Sequence, residues 1–183
     1  MGLKSIIRNN KAVVKFLGLF FGSYIVLTLF YQAYLNYLPS ENYFPDYITH
    51  QVAEQSYQFI KLLGYNTYFT KDPNTSSMMI GIDNAYVVRI IEGCNSIGVI
   101  ILFISFILAF WKSLKSTLIY IFTGSLIIYI LNVLRISLLT LGLHFYPEYR
   151  DLLHDIIFPL FIYGVVFLLW LYWIKNYKKQ KGH

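Results

Sequence analysis

Residues 116–142 read STLIYIFTGSLIIYILNVLRISLLTLG. A single charge, Arg135, interrupts this stretch. As an α-helix it is about 40 Å long at 1.5 Å per residue, more than the hydrocarbon core of a bilayer, which about 20 residues cross. It therefore reads as a transmembrane helix. Working outward, residues 96–111 are apolar but short. Residues 156–174 are apolar, with Pro159 in the first turn, where a missing N–H costs little. Residues 13–34 form a further apolar stretch with Lys15 at its edge. The far end of that stretch, Gln32-Ala33-Tyr34-Leu35-Asn36, lacks a small-residue cleavage pattern, so it is expected to be a retained anchor.

Composition agrees. Hydrophobic residues make up 57% of the 183 and charged residues 13%, against about 25% charged in an ordinary soluble domain. Mean hydropathy is +0.53. A soluble chain of this size could not hide so much apolar surface, which excludes a water-soluble enzyme and a disordered chain. One cysteine excludes a disulfide scaffold and a CxxC redox pair.

The expected fold is an all-α membrane protein. It has four transmembrane helices and a small α+β extracytoplasmic loop between the first and second. The division is 1–12, a basic cytoplasmic N-terminus; 13–35, the first span; 36–90, the outer loop; 91–177, a three-helix membrane core carrying the catalytic groups; and 178–183, a basic cytoplasmic tail. Charge orients it. Ten of the fifteen basic residues (Lys4, Arg8, Lys11, Lys15, Lys112, Lys115, Lys175, Lys178, Lys179 and Lys181) fall on one side, and all nine acidic residues fall on the other. Both termini are then cytoplasmic. The pI near 9.3 reports topology and contact with anionic lipid rather than nucleic acid, since no basic groove with stacking aromatics accompanies it. Tyr31, Tyr34, Tyr37, Trp111, Trp170, Tyr172 and Trp173 are expected in interfacial belts.

In the outer loop, Pro39 and Pro45 precede a helix capped by Asp46 or Thr49 and ending at Gly64. Val52, Phe59, Ile60 and Leu63 share one of its faces. Strand-like runs follow at 65–70, 78–82 and 85–90. Residues 71–75 form a loop, and Asp83-Asn84 form a hairpin turn between the last two runs. This loop is either a lid packed on the bundle or the wall of a substrate groove, whose open strand edge holds an extended peptide.

Counting from the inner anchors places three reactive side chains at one depth. Cys94 is 18 residues before Lys112, Arg135 is 20 after Lys115, and His154 is 21 before Lys175. These are about 27, 30 and 31 Å from the inner boundary, the outer rim of a core about 30 Å thick. A lone cysteine is often just a small hydrophobe, yet Cys94 is flanked by Glu92, Gly93, Asn95 and Ser96. An intramembrane arginine either snorkels to headgroups or lines a polar interior. Asn132, three residues before Arg135, favours the interior. His50, His144 and His183 show no comparable placement, although His144 also lies near the rim. A thiolate is a nucleophile favoured by a nearby cation, an imidazole moves the proton, and a guanidinium stabilises an oxyanion. The three together suit acyl transfer.

Glu92-Gly93-Cys94-Asn95-Ser96-Ile97 resembles the E-x-C-x-x-I signature of the exosortase/archaeosortase family. Asn132-Val133-Leu134-Arg135-Ile136 resembles its N-x-x-R segment, and His154 its third functional position. The resemblance covers 90–177 and is similar to a compact four-span branch of the Bacteroidetes type; many members have about eight spans. The glycine expected soon after the cysteine is displaced to Gly98.

The resemblance implies a membrane-embedded cysteine transpeptidase of the bacterial cytoplasmic membrane, with its site facing the periplasm. Its substrates would be exported proteins ending in a motif, a transmembrane helix and a basic tail. Cys94 would be the nucleophile, Arg135 would activate the thiol or hold the oxyanion, and His154 would be the general acid/base, with Glu92 and Asn132 as secondary candidates. No cofactor, metal or nucleic acid is expected.

Three other readings compete. One is a non-catalytic partner of an export or polysaccharide assembly system. Another is a small anion transporter using Arg135. The third is a metal site of Cys94, His154 and Asp151 or Asp155.

Overall fold

The computed structural model describes residues 10–37, 43–83 and 85–181, with side chains as far as Asn176. Lys4, Arg8, Pro39, Asn84, His183 and the side chains of the basic tail lie outside the described residues. The described residues are 76% helical, with one small sheet.

Helix α1 (Lys11–Tyr37) has no buried residue along its length, as an apolar helix that meets lipid on most sides requires. Asp46 precedes the next helix. Its Oδ1 accepts from the main-chain N–H of Ile48 (3.0 Å) and Thr49 (3.1 Å), capping α2 (Tyr47–Leu62). Tyr34 donates its hydroxyl to the same carboxylate at 3.2 Å, which ties α1 to the outer segment. Helix α2 ends where Gly64 takes φ +92, a left-handed conformation that glycine adopts without penalty.

The buried face of α2 is Thr49, Val52, Ala53, Ser56 and Ile60. This departs from the expected face: Val52 and Ile60 are buried, Phe59 is only half-buried and Leu63 is exposed. The reason is close helix packing. Ser137 donates its hydroxyl to the Ser56 carbonyl at 3.3 Å, and the Ser56 hydroxyl lies 3.4 Å from the Val133 carbonyl. Small residues let backbones approach where bulky ones would hold them apart.

Strands β1 (Thr67–Lys71), β2 (Met78–Ile82) and β3 (Ala85–Ile90) form an antiparallel sheet in that order. The register of β2 with β3 carries a bulge between Ile80 and Gly81. A Cβ at Gly81 would collide with the Tyr68 ring on β1. The sheet's buried residues Met78, Ile80, Ile82, Val88 and Ile90 share a core with α2 and with Ile136.

A 3-10 turn (Glu92–Asn95) leads into α3 (Ile97–Ala109) through Ser96 at φ +62. Then come α4 (Leu114–Phe145), capped by Ser113, a 3-10 turn (Pro147–Tyr149), a π-helical turn (Leu152–Ile157) and α5 (Phe158–Lys181). The π turn has a simple cause. Pro159 has no N–H to return to the carbonyl four residues earlier, and the preceding N–H, of Phe158, bonds five residues back to Leu153.

Among the described residues three helices are long and apolar enough to cross a bilayer: Lys11–Tyr37, Leu114–Phe145 and Leu152–Asn176. The second expected span is not among them. It forms α3, a helix of 13 residues, about 20 Å long. It is shortened by the 3-10 turn before it and by Phe110, which leaves helical conformation after it. Buried Phe103 and Ile107 pack it against α4 and α5 in a core that includes Ile128, Ile162, Val166 and Trp173. Gly124 of α4 receives the Phe103 ring where any side chain would clash.

Not all belt aromatics face outward. Tyr37, Trp111 and Tyr172 are exposed, but Trp173 is buried. Its indole donates to the Phe110 carbonyl (3.1 Å) and lies under the Lys112 ammonium at 4.1 Å. The C-terminus of α3, the start of α4 and the end of α5 therefore meet at one end of the bundle.

Candidate active site

At the opposite end, Cys94, Arg135 and His154 line one cavity of about 390 Å³. They come from the 3-10 turn before α3, from α4 and from the π turn before α5. The first wall is β3, all six of whose residues border the space. The second is the apolar face of α4, Ile136, Leu139 and Leu143. The rim adds His144, Pro147 and Arg150. Three arginines and two histidines line the cavity, with no carboxylate in the wall.

The thiol is held by its neighbours. The Cys94 N–H donates to the Ile91 carbonyl at 2.8 Å, closing the 3-10 turn. Asn95, 2% exposed, donates from Nδ2 to the Tyr31 hydroxyl (2.6 Å) and to Thr49 Oγ1 (3.0 Å). Its Oδ1 accepts from the Ile97 N–H at 3.0 Å. A single buried amide thus starts α3 and fastens the cysteine turn to α1 and α2. The sequence reading saw Asn95 only as polar surroundings. The signal was an asparagine directly ahead of an apolar helical run, the position of a local cap.

Asn132, fully buried, donates from Nδ2 to the Cys94 carbonyl at 2.8 Å and accepts from Arg135 Nη1 at 3.3 Å. It bridges the guanidinium and the cysteine turn. Arg135 Nε is buried with no partner among the described residues. An unpaired donor of this kind is uncommon in folded proteins and calls for a reason.

His154 is more exposed than the other two, at 54%. Its Nδ1 lies 2.6 Å from Asp155 Oδ1. An ionised carboxylate only accepts, so Nδ1 carries the hydrogen and Nε2 is left to take a proton. In the sequence, the adjacency of Asp155 to His154 is the available sign of this pairing. His144 also reaches the cavity, with Nε2 3.7 Å from Asp83 Oδ2.

Glu92 does not join the group. It is exposed and absent from the cavity wall, because the first residue of the 3-10 turn points outward. Among the described residues no three His, Cys, Asp or Glu side chains are grouped as metal ligands, Cys94, His154, Asp151 and Asp155 included. The larger cavity, about 640 Å³ at the Lys112 and Trp173 end, contains neither thiol nor imidazole.

No curated protein and no solved structure matches the chain significantly. The family model described as transmembrane exosortase matches residues 12–172. That range takes in α1 and the three-stranded sheet, well beyond the residues that carry the motif resemblance. On that match, with three helices of membrane-spanning length behind it, the chain belongs to the transmembrane exosortase family.

Proposed function

We propose that this membrane protein is a cysteine transpeptidase that cuts C-terminal sorting signals of exported proteins at the outer face of the bacterial cytoplasmic membrane. The supporting observation is the meeting of Cys94, Arg135 and His154, from three separate elements, around one cavity. In this reading the chain crosses the membrane four times, with α3 and its preceding 3-10 turn as the second crossing and both termini inside.

The Cys94 thiolate attacks the carbonyl carbon of the scissile peptide bond. Arg135 holds the oxyanion, from an orientation that Asn132 maintains. His154, its tautomer set by Asp155, takes the thiol proton and delivers it to the departing amine as the C–N bond breaks. The acyl group remains on sulfur as a thioester. An acceptor hydroxyl, amine or water attacks that thioester, and the thiol is restored. A substrate helix diffusing in the bilayer would present its motif at the depth of the cavity.

The test is mass spectrometry of the mature C-terminus of an exported protein that ends in motif, helix and basic tail. Wild-type cells should yield the trimmed form. Cys94→Ala and Cys94→Ser cells, with unchanged levels of the protein, should retain the full C-terminus. Trimming that persists in Cys94→Ala cells refutes the assignment.

A further inference from the structure

We infer that the substrate segment next to the cleaved bond binds as a fourth strand along the free edge of β3. This rests on the transpeptidase reading and adds how the peptide is held.

The sheet order leaves β3 at the margin, paired with β2 alone. Among the described residues, the main chain of Ala85–Ile90 has no hydrogen-bond partner other than β2. Alternate residues of an antiparallel strand aim N–H and C=O away from their partner, so a row of donors and acceptors faces outward. Successive side chains of a strand point to opposite faces. Away from the bulge, where Val87 has no partner on β2, a cavity seated on one face would therefore touch every second residue. This cavity touches all six residues of β3, so it meets the strand along its edge.

Free edges are templates for further pairing, and proteins usually cover them. Here the space beside the edge is left open. Its floor is Ile136, Leu139 and Leu143, which suits the apolar side chains of an extended peptide. The edge spans about 20 Å at 3.4 Å per residue, enough for six residues. The nucleophile follows its last residue closely, since Cys94 comes four positions after Ile90 and borders the same cavity. A helix has no free main-chain groups to offer this edge, whereas an extended chain offers one matching set per two residues. The occupant is therefore the extended stretch just before the substrate's membrane helix.

The experiment uses the full chain in membranes, with Cys94→Ala to trap bound substrate and a benzoylphenylalanine photocrosslinker in place of Tyr86. The probe is an epitope-tagged exported protein ending in motif, helix and basic tail. Cross-links should fall on alternate residues of the segment preceding its helix. In the Cys94 enzyme, proline scanning of that segment should reduce trimming at least tenfold at every second position and less than twofold between. Cross-links confined to the substrate's membrane helix, cross-links to a second copy of this chain, or none at all would overturn the strand-edge mode. If that happens while trimming still requires Cys94, the transpeptidase reading survives. Alternating cross-links with Cys94-independent trimming would retain the docking mode and remove the transpeptidase.

Discussion

Asn132 donates an amide hydrogen to the Cys94 carbonyl at 2.8 Å across a sequence separation of 38 residues. Because the same side chain accepts from Arg135, one buried amide sets the guanidinium relative to the cysteine turn. It acts as a positioning residue rather than a reacting one. Asn132→Ala should lower sorting-signal trimming by about 10- to 100-fold and destabilise the chain by about 1–3 kcal/mol, the cost of leaving buried partners unsatisfied. Asn132→Asp, which keeps the shape and the acceptor toward Arg135, should retain more activity than Ala. Quantitative mass spectrometry of the substrate C-terminus, normalised to protein level, checks both.

Asn95→Ala strands Thr49 and Tyr31 and removes the acceptor of the Ile97 N–H at the start of α3. The expected loss is about 1–3 kcal/mol, seen as a lower thermal unfolding midpoint in detergent. Tyr31→Phe removes only one of these bonds and should cost about 1 kcal/mol. Equal midpoints for the two variants would show that the amide does not hold the turn.

Arg135→Lys separates the enzyme from an anion transporter. Lysine keeps the charge but loses the planar fork that reaches Asn132. Trimming should fall by at least tenfold. A variant with near-normal trimming would mean that charge alone suffices at this position.

Asp155→Ala removes the acceptor that holds His154 Nδ1–H at 2.6 Å. With the ring free to take either tautomer, trimming should drop by about tenfold while Cys94 alkylation by a small maleimide stays unchanged. Slower alkylation as well would place Asp155 in the fold rather than in proton transfer.

Asp72 gives the three-stranded sheet a pH dependence. The Thr75 hydroxyl (2.6 Å), the Asn74 N–H (2.9 Å) and nearby Arg89 (3.1 Å) hold its carboxyl below the ordinary value of 3.8. A group lowered on folding stabilises the fold above its unfolded value and loses that contribution as pH falls through its folded value. Protease resistance of the outer segment should therefore hold down to about pH 4 and decline below it. Asp72→Asn should flatten that acid-side decline and lower resistance at neutral pH.

Much was legible from the chain alone. Long apolar runs that form membrane-length helices require only helix rise and bilayer thickness. The strands at 78–82 and 85–90 and the Asp46 cap were legible because local chemistry decides them. The buried face of α2 was not, since Ala53 and Ser56 are small residues whose burial comes from a neighbouring helix. Nor was the burial of Trp173, whose indole finds its acceptor 63 residues away on Phe110.

Membrane character and the short motifs thus followed from sequence by itself, because hydropathy and helix rise act along a single helix. That Cys94, Arg135 and His154 border a common cavity, that Asn132 and Asn95 lock the cysteine turn, and that Glu92 stays outside were decided by tertiary structure. Lateral contacts between helices depend on which side chains let the backbones come close, and no one-dimensional distance contains that information.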